Sequence, residues 1–349
     1  MPPLLLLVAF AVILAGAELF TNGIEWLGRK MGVAEGAVGS VFAAIGTALP
    51  ETMIPVIAIL FSSGPHSHGV GVGAVLGAPF MLATLAMAVT GVVVLASRRV
   101  RAAGDVVVVK TSVVAHDVRT FVIAYAFAIG IGFLPVGAEL PRILGAIVLV
   151  VTYLWYARRH LGEDADADQG DLEPLRFRRF ERHPHRLDTH EPRVRVVLIQ
   201  VIAAAALIVV GATLFVGSVE AIGESLGVDD ALLALLVAPM ATELPEAVNA
   251  VIWIRQGKDT LAIGNITGAM VFQATIPTAI ALALAPETWW VQPSSLPAFL
   301  SAAVAFVSVA LIGIPMVRRG RLTGRALLGG GVLYAGYVAF ILVVALRPS

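Results

Sequence analysis

The 349-residue chain contains no cysteine. Disulfides, thiolate metal sites and cysteine nucleophiles are therefore excluded. Charge is scarce too. Only 14% of residues are Asp, Glu, Lys or Arg, against roughly 25% in a soluble domain. The first apolar run, Leu4 to Leu14, has no Lys or Arg before it. A secretory leader needs that basic start, so the run reads as a membrane helix and not as a cleaved leader. No His-Glu-x-x-His sequence occurs, and all seven histidines are expected in loops or at span ends. An intramembrane hydrolase would lack its metal ligands.

What the chain has in excess is apolar sequence, 58% of its residues. Several stretches reach the ~20 residues that a helix needs to cross a bilayer. Ten spans are predicted, numbered here in chain order: 3–22, 36–61, 69–96, 119–136, 139–157, 194–217, 230–254, 259–285, 295–316 and 325–346. The expected fold is an all-α membrane protein. With the N-terminus outside, 22 of the 24 Lys and Arg residues fall in inner loops, and only Arg142 and Arg347 fall outside. The positive-inside rule then sets both termini outside, in what we expect to be the plasma (inner) membrane of a prokaryote.

The chain is also duplicated. Residues 16–51 align with 211–246 at a constant offset of 195, with 13 of 36 positions identical. Both copies end in Thr-x-Leu-Pro-Glu: Thr47 to Glu51, and Thr242 to Glu246. Five spans per half is an odd number, so the second half enters the membrane from the opposite side. The ten helices thus form two inverted five-helix repeats, an arrangement that places matching segments at the midplane of a transporter. The expected organisation is a first half over 1–157 (repeat core about 16–90), a linker over 158–193 and a second half over 194–349 (repeat core about 211–285).

Glu51 and Glu246 lie in mid-span, with no Lys or Arg partner evident within the spans. A charge there costs about 2.5–3.5 kcal/mol on insertion scales. A bound cation or a proton is the simplest countercharge. Burial disfavours the charged carboxylate, so protons should compete with metal. Pro50 and Pro245 lack an N–H, which frees the carbonyls of Gly46 and Ala241 and loosens those of Thr47 and Thr242. Carbonyl oxygens beside a carboxylate suit Ca²⁺. A second pair of segments follows, Gly73 to Leu82 and Gly264 to Gln273, displaced by four residues from the first alignment. Its paired glycines are expected to permit close helix approach. Asn265 and Gln273 make the second copy the more polar.

These motifs resemble the sodium/calcium exchanger family of the calcium/cation antiporter superfamily, whose repeats carry Gly-Thr-Ser-Leu-Pro-Glu and then a Gly-Asn-x-x-Gly-Ser-Asn type of segment. Gly46 to Glu51 matches the first motif except at Ala48, and Ala241 to Glu246 has Glu243 where Ser is usual. The resemblance spans essentially the whole chain. It implies exchange by alternating access, with Glu51 and Glu246 as calcium ligands assisted by the carbonyls of Thr47 and Thr242. The family's sodium-site positions are here Ala78, Pro79 and Leu82 in the first repeat. In the second repeat Asn265 and Gln273 stay polar, while Ala269 and Met270 do not. Less reliance on sodium is therefore expected; Glu243 is a candidate proton carrier if it faces the cavity, and must be neutral or hydrogen-bonded if it faces lipid or a neighbouring helix.

The expected function is a secondary cation antiporter exchanging Ca²⁺ for Na⁺ or H⁺; the alternative is a cation/proton exchanger of relaxed selectivity. No enzymatic activity and no cofactor are expected, and the partners are the transported cations and the lipid bilayer, with no nucleic acid. A channel is a further class, separated from exchange by whether flux requires a trans counter-ion. Asp164, Asp166 and Asp168 resemble the start of an EF-hand loop, but Leu175 stands where the bidentate Glu should be, so 158–193 reads as a solvated linker. His66 and His68 read as a solvated outer loop. The topology is directly testable in a chain without cysteine: single cysteines in the 158–193 loop should resist impermeant thiol reagents applied to intact cells. Labelling from outside would overturn the orientation.

Overall fold

The computed structural model describes residues 2–30, 52–58, 67–163, 174–180, 192–226, 235–237, 243–293 and 295–345. Eight described helices are long and apolar enough to cross a bilayer. They correspond to spans 1, 3, 4, 5, 6, 8, 9 and 10. Span 2 falls largely outside the described residues, and span 7 in part. What is described of them is a helical turn over 52–58, residues 235–237, and the helix Leu244–Arg255.

Span 1 is the helix Pro2–Lys30 and span 6 the helix Val194–Leu226. They run antiparallel and pack chiefly on each other. Their closest approach is glycine on backbone. A Cβ at Gly16 would lie 2.8 Å from Ile208 Cγ1 and 3.2 Å from the Ala204 carbonyl oxygen; one at Gly211 would lie 2.7 Å from Ile13 Cγ1 and 3.3 Å from the Ala9 oxygen. Each residue of one contact lies 195 positions from its counterpart in the other, so the contact repeats itself about a pseudo-twofold axis. Small residues admit such backbone proximity between membrane helices. Ile54, Ile57 and Ala58, just beyond the first Pro-Glu motif, pack into this pair beside Ala9, Ala212 and Phe215.

The remaining spans share one larger core. Span 3 is continuous from Ser67–Met81 through a π-helical turn, Leu82–Ala86, into Met87–Ser97. Span 9 likewise carries a π turn, Val309–Gly313, between Leu296–Ser308 and Ile314–Arg319. Span 8, Asp259–Leu284, is α-helical throughout and packs on span 4, Thr111–Ile131, and span 5, Glu139–Glu163. Span 10, Gly324–Ala345, closes over span 3, where Gly91, Gly324 and Gly330 leave no room for a Cβ.

Span 4 differs from expectation at both ends. It begins at Thr111 rather than 119 and stops at Ile131. The early polar residues, including His116 and Asp117, are helical and packed against neighbouring helices. His116 stacks on Tyr156 with ring centroids 5.4 Å apart, so it is not a loop residue as expected. The helix ends just short of Leu134-Pro135, where the residue before proline disfavours α geometry.

Two sets of loops gather on opposite sides. Loops 3–4 and 9–10 pair as a two-stranded antiparallel ribbon, Val106–Val108 (β1) with Arg321–Thr323 (β2). Gly320, at φ 64°, provides the left-handed turn from span 9 into β2 that a side chain would strain. Arg101 pairs with Asp259 at 2.8 Å, both buried, and also donates to the carbonyls of Val106 and Ile254. This joins loop 3–4 to the end of span 7 and the start of span 8. On the other side, Val291 N donates to the Gly132 oxygen at 2.8 Å, linking loops 4–5 and 8–9. Arg142 is 1% exposed there and donates to the carbonyls of Trp289, Leu134 and Pro135. One of the two exceptions to the charge rule is thus a buried loop anchor.

The described part of the linker is docked, in contrast to the solvated segment expected. Leu175 is buried against Trp26 and Val197. Arg176 N donates to Asn22 Oδ1 at 3.0 Å and Phe177 N to Gln200 Oε1 at 2.8 Å, fixing the 3-10 turn Arg176–Phe180 on spans 1 and 6. Asp164, Asp166 and Asp168 lie outside the described residues, as do His66 and the His68 side chain.

The span 1–span 6 contact makes a clear prediction. Gly16→Leu or Gly211→Leu should destabilise the protein by about 1–3 kcal/mol, the cost of forcing added atoms into a packed interface. Thermal unfolding in detergent measures this, and an unchanged Tm in both variants would reject the backbone contact.

Candidate ion-binding site

Of the predicted site residues, Thr47, Glu51 and Thr242 lie outside the described residues. Glu246 lies in the first turn of the helix Leu244–Arg255, and its side chain is outside the description. Pro245 also falls in that first turn. There its missing N–H removes no helical hydrogen bond, because the first turn has no acceptor for it. The first turn of a helix is also where backbone N–H groups favour negative charge.

Glu243 precedes this helix directly and is fully buried. Gln273, on span 8, donates its Nε2 to Glu243 Oε1 at 3.1 Å and is itself buried. Two of the predicted residues therefore meet, although 30 positions apart in sequence. Glu243 faces span 8, not lipid. Asn265 is partly buried on span 8, eight residues before Gln273. At 100° per residue the two lie about 80° apart on the helix, on one broad face.

The corresponding positions of the first half are apolar. Ala48 stands opposite Glu243 in the 195-residue alignment, and Leu82 stands opposite Gln273 in the displaced one. Both members of the hydrogen-bonded pair are thus missing together. The displaced alignment itself has a structural counterpart. Thr84 Oγ1 donates to the Phe80 oxygen at 2.6 Å, and Thr275 Oγ1, 191 positions later, donates to the Val271 oxygen at 2.7 Å. The backbones then diverge: the π turn of span 3 begins at Leu82, whereas span 8 stays α-helical past Gln273. Isolated π turns recur at functional sites. Ser308 of span 9 donates to the carbonyl of Ala83 within this one.

The expectation of close approach at the span 8 glycines is not met. A Cβ at Gly264 would lie 3.8 Å from Val113 and one at Gly268 would lie 3.5 Å from the Tyr156 hydroxyl, both ordinary contacts. The tight approaches lie elsewhere, at Gly16, Gly211, Gly91 and Gly330.

Sequence reasoning missed one buried carboxylate near these residues. Asp117 of span 4 accepts Tyr156 Oη at 2.8 Å and Thr267 Oγ1 at 2.6 Å. Its signal was present, an Asp between apolar runs, but the predicted span began two residues after it. Among the described residues no three His, Asp or Glu side chains gather at metal-binding distance.

The chain matches the family described as sodium/calcium exchanger protein over residues 1–159 and 196–346. It is 23% identical over 287 residues to the putative antiporter CaxA of Alkalimonas amylolytica, covering 80% of each chain. Among solved structures it is similar to the H⁺/Ca²⁺ exchanger CAX, with a TM-score of 0.72 at 16% identity, covering 100% of this chain and 82% of the other. It is also similar to the sodium-calcium exchanger NCX_Mj, with a TM-score of 0.57 at 18% identity, covering 97% and 99%. Two inverted repeats, their paired Pro-Glu motifs and a match over nearly the whole length agree: the chain belongs to the sodium/calcium exchanger family of membrane cation antiporters.

Proposed function

We propose that this integral membrane protein exchanges Ca²⁺ for protons by alternating access, in a plasma membrane and with both termini outside. Glu51 and Glu246 bind the cation, with help from the carbonyls of Thr47 and Thr242 and from Asn265. Glu243, held by Gln273, carries the proton. The observation that supports this most is the buried Glu243–Gln273 pair beside the second Pro-Glu motif, set against Ala48 and Leu82 in the first half.

The fold does not choose the counter-ion, because a proton-coupled and a sodium-coupled exchanger both resemble it. The side chains do. Sodium needs a shell of oxygens, and the first-half positions Ala48, Ala74, Ala78 and Leu82 offer none from their side chains. A proton needs a single acceptor with a compensated environment. In Glu243 one oxygen already accepts an amide proton, which leaves the carboxyl able to gain and lose a proton without giving up that bond.

The test is Ca²⁺ flux in proteoliposomes under a pH gradient without sodium, and under a sodium gradient at fixed pH. The expected outcome is strong pH-driven exchange and little sodium-driven exchange. Glu51→Gln and Glu246→Gln should each abolish transport without preventing membrane insertion. Glu243→Gln should leave Ca²⁺ binding in place while removing the response to pH. Sodium-driven flux with no response to pH would reject proton coupling, and wild-type exchange in either Glu51→Gln or Glu246→Gln would reject the cation site.

A further inference from the structure

We infer that Asp117 is a positioning residue for transport: through Thr267 it fixes the rotation of span 8, and so the placement of Asn265 and Gln273. The inference rests on the proposed role of those two residues in the cation pathway.

Asp117 is a carboxylate inside a membrane helix and is 1% exposed. Ionisable residues at such depth are costly and are kept where they serve function. Its contacts come from two other spans. Oδ1 accepts Tyr156 Oη of span 5 at 2.8 Å, and Oδ2 accepts Thr267 Oγ1 of span 8 at 2.6 Å. Thr267 Oγ1 also lies 3.1 Å from the Ile263 oxygen and 3.4 Å from that of Gly264, but it has one proton to give. The short bond to a carboxylate is the stronger acceptor interaction.

Thr267 stands between Asn265 and Gln273 in sequence but not around the helix. At 100° per residue it is about 160° from Asn265 and about 120° from Gln273. Asp117 therefore holds span 8 from behind, while the candidate site residues project from the front. Around Thr267, span 8 packs on spans 4 and 5 through ordinary apolar contact. The Cβ positions of Gly264 and Gly268 are in no more than ordinary contact with Val113 and Tyr156. Apolar contact of this kind does not select one rotation, so on that face the Asp117–Thr267 bond is the directional constraint.

The first half holds its equivalent helix differently. Leu76 occupies the place of Thr267 in the displaced alignment. There the Leu76 backbone carbonyl accepts Tyr125 Oη of span 4 at 3.3 Å; Ser301 Oγ of span 9 lies equally near but donates to the Ala298 oxygen at 2.6 Å. At this position a neutral hydroxyl holds span 3, whereas a carboxylate holds span 8, the helix with the polar site residues.

The test uses the full-length chain in proteoliposomes. Asp117→Ala and Thr267→Val should each raise the half-saturating Ca²⁺ concentration about tenfold, the loss expected of one charge-assisted bond, with maximal rate little changed. The double variant should do no more than either single, because both remove the same interaction. Thr267→Ser, which keeps the hydroxyl, should restore the wild-type value. Position is read independently of transport by placing Asn265→Cys in this cysteine-free chain. Its rate of reaction with a thiol reagent should differ between the Asp117 and Asp117→Ala backgrounds. If Asp117→Ala does not accumulate in the membrane, the Thr267→Val and Thr267→Ser comparison carries the same test. Wild-type Ca²⁺ affinity together with unchanged labelling, or additive effects in the double variant, would overturn the inference. Full activity in Glu246→Gln would instead sink the reading of function, and the labelling comparison would still decide whether Asp117 sets the helix.

Discussion

In a bilayer a buried charge must be met from within the protein, and the buried ionisable groups discussed above each sit at a junction between spans. Arg101 and Asp259 meet where loop 3–4, the end of span 7 and the start of span 8 converge. Three backbone carbonyls take the Arg142 guanidinium, joining the 4–5 and 8–9 loops. Asp117 ties span 4 to spans 5 and 8, and Glu243 ties the start of the span 7 helix to span 8. Lipid offers none of these groups a hydrogen bond, so each junction is far more specific than apolar packing alone. Span 8 receives three of these ties, at Asp259, Thr267 and Gln273. It is accordingly the most constrained helix described, and it is also the one whose polar residues mark the candidate site.

Much of this was legible in the sequence. The apolar runs, the basic loops and the 195-residue offset are set by the bilayer and by duplication, both of which leave long, regular signals. Eight spans stand near where hydropathy places them, span 4 excepted at its ends, and Gly16 and Gly211, equivalent in the alignment, prove equivalent in contact. Other features left no local trace. The true start of span 4 was hidden because His116 and Asp117 look like loop residues until Tyr156 and Thr267 are brought to them from 39 and 150 positions away. The β1–β2 ribbon joins segments more than 200 positions apart and consists of three residues on each side, too short for any periodicity to show. The glycines of Gly264 to Gly268 matched a motif, but a motif does not say which face a glycine occupies, and here the tight contacts are made by other glycines. The Glu243–Gln273 bond lay between these extremes. Both residues were visible as polar departures within apolar sequence, while their meeting depended on the packing of spans 7 and 8.

The two halves share a backbone plan yet differ in polarity, and the differences occur in sets. Ala48, Leu76 and Leu82 in the first half stand opposite Glu243, Thr267 and Gln273 in the second. A buried carboxylate without a donor is strongly unfavourable, and so is a buried amide with nothing to bond. Glu243 is therefore tolerable where Gln273 faces it, and at the aligned positions of the first half both residues, Ala48 and Leu82, are apolar. Thr267 is similarly matched by Asp117 on a neighbouring span, whereas beside Leu76 the Tyr125 hydroxyl turns to the backbone carbonyl. Single changes at such positions would leave an unmatched polar group; concerted changes do not. An inverted repeat therefore permits one half to keep an apolar lining while the other acquires a carboxyl. The constraint is that polar groups are added or removed along with their partners. In an antiporter that asymmetry has a consequence. In the exchange proposed above, the two Pro-Glu carboxylates would stay equivalent toward the shared cation, while Glu243, present in one half only, would mark the protonated state.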